Sequence, residues 1–117
     1  MNKTVSVAPM MDCTDKHENY FLSLISKNIQ LYTEMIVANA IIKGDRKKLL
    51  SFKSIPNHVT LQIGGSNPKE LAEACKISQD YGYKEINLNL GCPSKKVQKN
   101  KFGACLMQEP ELVGQCI

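Results

Sequence analysis

His58-Val59-Thr60-Leu61-Gln62-Ile63, then Gly64-Gly65-Ser66, then Asn67-Pro68-Lys69-Glu70-Leu71 and on to Gly82, reads as one strand, one turn and one helix. The first run is rich in β-branched and apolar residues, as a buried strand is. Asn67 suits a helix N-cap, Pro68 the first helical position, and Glu70 completes a capping-box arrangement. Leu71, Ala74, Cys75 and Ser78 recur at helical spacing, and Gly82 fits a left-handed stop.

The same pattern repeats on both sides. TVSVAP, LYTEMI, HVTLQI and EINLNL begin at Thr4, Leu31, His58 and Glu85, each 27 residues after the last. After the first run, Thr14-Asp15 precede the helical apolar residues Phe21, Leu24 and Ile25. After the second, Ala38 to Lys43 reads as helix until Gly44-Asp45 interrupts it. A last helix starts near Glu109-Pro110. Strands alternating with helices indicate βα units and a parallel sheet. The expected fold is α/β, the N-terminal half of a (β/α)8 TIM barrel with about four βα units, since a whole barrel needs about 250 residues. A doubly wound sheet is the competing architecture. Against it, Val7 is followed by Ala8-Pro9-Met10-Met11 and not by the G-x-G-x-x-G turn of a dinucleotide fold. Half a barrel leaves both sheet edges open.

The chain has 117 residues, and its 43% hydrophobic content is ordinary for one globular core. It has no run approaching the roughly 18 apolar residues of a membrane span. Met1-Asn2-Lys3-Thr4 leads straight into a strand without a signal-peptide segment, so a cytoplasmic location is expected. Five cysteines (Cys13, Cys75, Cys92, Cys105, Cys116) have neither disulfide-framework nor C-x-x-C spacing, which suits a reduced compartment and argues against a metal. A net charge of +4 permits a polyanionic partner without requiring one. The sequence ends at Gln115-Cys116-Ile117 inside what reads as an unfinished helix, so a fragment is expected.

Reactive groups of such barrels sit at the C-terminal ends of the strands. The unusual residues fall there: Pro9-Met10, Glu34, Gln62, and Asn89-Leu90-Gly91-Cys92-Pro93. A period of two places Asn87 and Asn89 on one face with Glu85 and Gly91. Amides lining a barrel need hydrogen bonds, which a ligand with several donors and acceptors would supply. Gly91 removes bulk beside that ligand, and Pro93 stiffens the turn that presents the Cys92 thiol. An equally open reading has the asparagines satisfying neighbouring backbone and Cys92 packed as a small apolar residue. Gln62 fits either the edge of a flavin or base ring or a hydrogen bond within the barrel. Gly64-Gly65-Ser66 reads as the strand-to-helix turn in preference to a phosphate cradle, and Glu34 as an architectural carboxylate. Lysines and an arginine cluster at Lys43, Arg46, Lys47 and Lys48, and lysines again at Lys95, Lys96, Lys99 and Lys101 beside Cys92. Such runs are usually solvated faces, but the second could position RNA phosphates without reading sequence.

VAPMMDCTDKH, LYTEMI, LQIGGS, GYKEINLNLGCPS, VQ and FGACLM, in this order, closely resemble the A-type bacterial tRNA-dihydrouridine synthases over nearly the whole chain. INLNLGCPS and FGACLM together carry the specificity of that resemblance. It implies an FMN barrel, followed by a helical tRNA-binding domain, that uses NADPH to reduce a uridine of the tRNA D-loop to dihydrouridine. This chain would be the N-terminal part of that barrel, acting as a monomer. Pro9, Met10 and Met11 would lie along the FMN, Gln62 would bond its ring, Asn89 would contact RNA, and Cys92 would be the proton donor. Cys13 stands where this group usually has tryptophan, and Glu18-Asn19 replace a more basic pair. Asn100-Lys101 replace a glycine-containing step, where asparagine's tolerance of positive φ would preserve the turn. Two alternatives stand beside this reading: an FMN barrel acting on a free pyrimidine, like a dihydroorotate dehydrogenase, and an RNA-binding remnant without catalysis.

Overall fold

A computed structural model describes residues 5–52 and 58–117. Thr4, the expected start of the first strand, lies outside them. The strands β1 (Val5–Ser6), β2 (Ile29–Tyr32), β3 (Ile36–Val37), β4 (Val59–Gly64) and β5 (Ile86–Leu88) pair only in parallel. β1 pairs with β2 and β2 with β4. Ile63 of β4 pairs with Ile36 of β3 and with Leu88 of β5, so β3 and β5 take opposite edges of β4. The Thr60 carbonyl accepts from the Thr33 amide while the Leu61 amide donates to Glu85, which puts β2 on the β3 side. β2 and β3 are therefore one strand in two pieces. Four parallel strand positions in chain order are the arrangement of the first part of a barrel, without the switch in strand order of a doubly wound sheet.

The break in the second strand is a bulge. From Leu31 to Ile36 the chain uses one more residue than β4 uses from Val59 to Ile63. The Thr33 hydroxyl fills the gap in the ladder by accepting the Gln62 amide at 3.1 Å. LYTEMI shows no sign of this in sequence, because its interruption carries neither glycine nor proline.

The helices are α1 (Lys16–Ile25), α2 (Ala38–Lys43), α3 (Arg46–Leu50), α4 (Pro68–Asp80), α5 (Lys95–Lys99) and α6 (Pro110–Cys116), with a 3₁₀ turn at Gly103–Gln108. Asn67 caps α4 by accepting from the Lys69 and Glu70 amides, Pro68 opens it, and Gly82 at φ 89° ends it. Gly44-Asp45 does interrupt the second helix: Gly44 closes α2 and Asp45 caps α3. The Arg46 guanidinium turns back to the Ile41 and Ile42 carbonyls, so it satisfies the end of α2. α2 packs on α4, and Ile41, Leu50, Leu61, Ile63, Leu71 and Ala74 form the core beneath them. Each large apolar side chain buried there stabilises by roughly 1.5–3 kcal/mol.

α1 forms after Thr14-Asp15 as expected, but its apolar residues do not face the core. Phe21, Leu24 and Ile25 are 61%, 64% and 66% exposed, whereas Asn19 and Ser23 are buried. Asn19 faces inward because its amide nitrogen donates to the Thr14 and Tyr32 carbonyls, tying the helix to β2. Asp15 caps α1, and the amide hydrogens of Glu18 and His17 hold its carboxyl below the ordinary value against a smaller opposing effect of burial. Val5 at the β1 edge is likewise exposed.

Candidate active site

Pro9, Met10, Met11, Met35, Gln62, Asn89, Gly91 and Cys92 line one cavity of about 320 Å³. Six of these (Pro9, Met10, Met11, Gln62, Asn89, Cys92) are site residues read from the sequence at the C-terminal ends of the strands; Met35 was not among them. It reaches the cavity because the bulge re-aims the residues between β2 and β3. Met11, Met35 and Cys92 also line a neighbouring cavity of about 710 Å³ with Ser66, Asn67, Lys96, Asn100 and Phe102. Those three side chains thus stand between the two spaces.

Gln62 and Asn89, which line the smaller cavity, belong to a chain of carboxamides that continues to Asn87. Gln62 and Asn87 are cross-strand partners, and the Gln62 amide nitrogen donates to Asn87 Oδ1 at 2.7 Å. The Asn89 amide nitrogen donates to Gln62 Oε1 at 3.0 Å. Asn89 Oδ1 then accepts from the Gly91 and Cys92 amides at 3.3 and 3.0 Å. Asn89 thus bonds backbone and lines the cavity with Gln62, whereas Asn87 bonds the Gln62 side chain and is not among the residues that line it. Leu61 and Ile63 point the other way, into the core beneath the helices.

The loop after β1 is fastened at two points. The Thr14 hydroxyl accepts from the Met10 amide and donates to the Met10 carbonyl, at 3.0 and 3.1 Å. Glu34 Oε1 accepts the amide of Asp12, whose backbone is left-handed at φ 61°. A non-glycine residue there costs on the order of 1 kcal/mol, which the carboxylate bond offsets. The architectural reading of Glu34 fits this contact.

The Cys92 loop is held by the segment that follows it. The Ala104 amide donates to the Cys92 carbonyl at 3.1 Å. Gly103 has φ 69°, and a Cβ on it would stand 2.6 Å from Val97 Cγ1 and 2.7 Å from the Cys92 oxygen. FGACLM thus buttresses the thiol-bearing turn, a role visible beforehand only as a motif. At the turn before it, Lys101 takes positive φ, at 56°, while Asn100 lies at φ −94°. The expectation that asparagine absorbs the missing glycine is corrected: Asn100 instead caps α5, its side chain donating to the Lys96 carbonyl. Gly64 and Gly65 are packing glycines, since a Cβ on Gly64 would meet Phe102 and Met35 at 2.8 and 2.9 Å.

Lys95, Lys96, Lys99 and Lys101 are all exposed, and Lys96 lines the larger cavity. Burial pushes the Cys75 and Cys116 thiols up, and both pack beside the core. Among the described residues, no cluster of three or more His, Cys, Asp or Glu could hold a metal. No helix among them is long and apolar enough to cross a membrane.

A family model described as Dihydrouridine synthase (Dus) matches residues 6–117. The chain is 57% identical over 113 residues to a protein of Synechocystis sp. (strain ATCC 27184 / PCC 6803 / Kazusa) named tRNA-dihydrouridine(20/20a) synthase, covering 97% of this chain and 34% of that one. Proteins of the same name match from Vibrio cholerae serotype O1, 54% identical over 97% of this chain and 34% of the relative, and from Shewanella oneidensis, 50% identical over 100% and 35%. The chain spans about a third of the length of the curated relatives it matches.

Proposed function

The chain belongs to the dihydrouridine synthase family, and from that premise we propose that it supplies the N-terminal part of the barrel of an FMN-dependent, cytoplasmic enzyme. That enzyme uses NADPH to reduce a uridine in the D-loop of tRNA to dihydrouridine, and Cys92 protonates C5 of the ring. The remaining barrel and a helical tRNA-binding domain complete it. The observation that carries the reading is the cavity shared by Pro9, Met10, Met11, Gln62, Asn89 and Cys92.

The residues fit a flavin ring. Met10 and Met11 are 59% and 54% exposed beside that cavity, and their polarisable thioethers suit a flat aromatic surface. Gln62 keeps one amide hydrogen unshared there. Gly91 meets nothing within 4 Å of its missing Cβ, so that wall stands open. When bound, reduced FMN supplies the hydride that adds to C6 of the uracil.

The chain's own residues do the rest. Hydride addition leaves the electron pair at C5, conjugated with the C4 carbonyl. The Cys92 S–H bond breaks as the C5–H bond forms, and the thiolate regains its proton from solvent. Asn89 holds the Cys92 turn through its carbonyl and keeps one N–H for the substrate. Lys95, Lys96, Lys99 and Lys101 meet the RNA backbone, where cations position without reading sequence.

The intact protein, purified and given tRNA that lacks dihydrouridine, tests the proposal. A flavin absorption band and NADPH-dependent formation of dihydrouridine are expected, with no turnover of free orotate or uridine. Absence of flavin, or turnover of the free pyrimidine alone, would overturn it.

A further inference from the structure

We propose that Asn87 is a positioning residue, the far anchor of a one-way amide chain that runs from the Cys92 backbone through Asn89 and Gln62 and fixes which atoms these two present to a ligand. The inference rests on the reading of this cavity as the flavin and uridine site. Carboxamide oxygen and nitrogen are interchangeable in shape, so the direction of such a chain must be set from outside. Here it is set by the backbone. The Gly91 and Cys92 amides can only donate, so the Asn89 atom they meet is its oxygen. The Asn89 nitrogen then faces Gln62 and must meet Oε1, and the Gln62 nitrogen must meet Asn87 Oδ1. Reversing any one amide would set donor against donor and acceptor against acceptor.

The consequence is a fixed chemical face. Both lone pairs of Asn89 Oδ1 are taken, so Asn89 offers a ligand only its second N–H. The ring atom it meets is therefore an acceptor, such as a uracil carbonyl oxygen, and never N3–H. Gln62 is held at both ends, by Asn89 at its oxygen and by Asn87 at its nitrogen. Without Asn87 one bond alone resists rotation of the Gln62 amide, the group proposed to face the flavin.

Substitution in the intact protein tests this with and without cofactor. In the FMN-free protein, Asn87→Leu should move the bonded Gln62 side-chain amide proton upfield and speed its exchange, while Asn87→Asp, which keeps the acceptor, should retain both. With FMN, Asn87→Leu should shift the visible flavin bands in the direction of Gln62→Leu and weaken FMN binding by about tenfold. Asn87→Ala adds no bulk and gives the same comparison should the leucine variant fail to fold. If Asn87→Leu and Asn87→Ala leave the Gln62 resonance and the flavin bands unchanged while Gln62→Leu alters them, the positioning role is overturned and the flavin reading stands. Asn87→Asp behaving like Asn87→Leu overturns it too. Unaltered bands and affinity in Gln62→Leu itself would remove the underlying reading, and this inference with it.

Discussion

Gly103 lies so close to the Cys92 carbonyl that a Cβ on it would come within 2.7 Å of that oxygen, and the next amide, of Ala104, donates to the same atom at 3.1 Å. Two separated motifs, INLNLGCPS and FGACLM, are thereby one structural unit, with the thiol on one half and its support on the other.

Gly103→Ala should therefore cost about 2–3 kcal/mol of stability, combining left-handed strain with clashes against Val97 and Cys92. Denaturant unfolding of the intact protein measures it. Gly91→Ala, which meets nothing within 4 Å, should change stability by less than about 0.5 kcal/mol yet weaken FMN, because Gly91 lines the proposed flavin cavity. Equal stability losses in the two variants would refute the buttress.

The barrel half was legible because its signals are local. Asn67, Pro68 and Gly82 punctuate α4, and Gly44-Asp45 separate α2 from α3, each by a conformational preference that acts within a few residues. What was not legible depends on partners distant in sequence. Gln62 and Asn87 alternate plainly within their own strands, but only the β4–β5 register makes them neighbours. The bulge that brings in Met35 is likewise a mismatch between two strands, absent from either alone. In α1 Phe21, Leu24 and Ile25 mark the helix by their spacing, yet Asn19 holds the inner face because its amide donates to the Thr14 and Tyr32 carbonyls. Phe21, Leu24 and Ile25 are left outside among the described residues.

Alkaline stability should report on Tyr83. It packs against Phe52 with ring centroids 5.1 Å apart, and burial pushes its hydroxyl from 10.0 up to about 12. The unfolded chain releases this proton near pH 10 while the folded chain keeps it, so the contribution is complete below pH 10 and lost as pH rises toward 12. The loss amounts to about 3 kcal/mol. The partly buried Cys75 and Cys116 shift in the same direction and add to it. The unfolding free energy should fall less between pH 9 and 11 in Tyr83→Phe than in wild type. Parallel curves would show that the Tyr83 hydroxyl ionises as freely folded as unfolded.

The four lysines around α5 should act through charge alone. Replacing two of Lys95, Lys96, Lys99 and Lys101 with glutamine in the intact protein should weaken tRNA binding at low salt. It should also reduce the slope of log affinity against log salt by about 1 for each phosphate no longer neutralised. All four are exposed, so stability should be unaffected. An unchanged salt slope would return them to a solvated surface.

Cys92 carries the most specific expectation. Protonating C5 needs an acid on a fixed turn, and this turn is fixed twice, by Asn89 at the Cys92 amide and by Ala104 at its carbonyl. A thiol is a far stronger acid than a hydroxyl, so serine would be a poor substitute of nearly the same shape. General acid catalysis contributes about 10²–10⁴-fold, or roughly 3–5 kcal/mol of barrier. Cys92→Ala in the intact enzyme should still hold FMN and still be reduced by NADPH, because neither event uses the thiol. Oxidation of that reduced enzyme by tRNA in a single turnover should slow by at least about a hundredfold. Cys75→Ala, in the partly buried layer against the core, should leave the rate nearly intact. Cys105→Ala should do the same, since Cys105 lines neither cavity beside Cys92. Cys92→Ser separates acidity from geometry: it preserves the turn and its hydrogen bonds, so a rate as low as that of Cys92→Ala assigns the loss to the proton. If Cys92→Ala is oxidised by tRNA at the wild-type rate, the acid is another group and the thiol only packs.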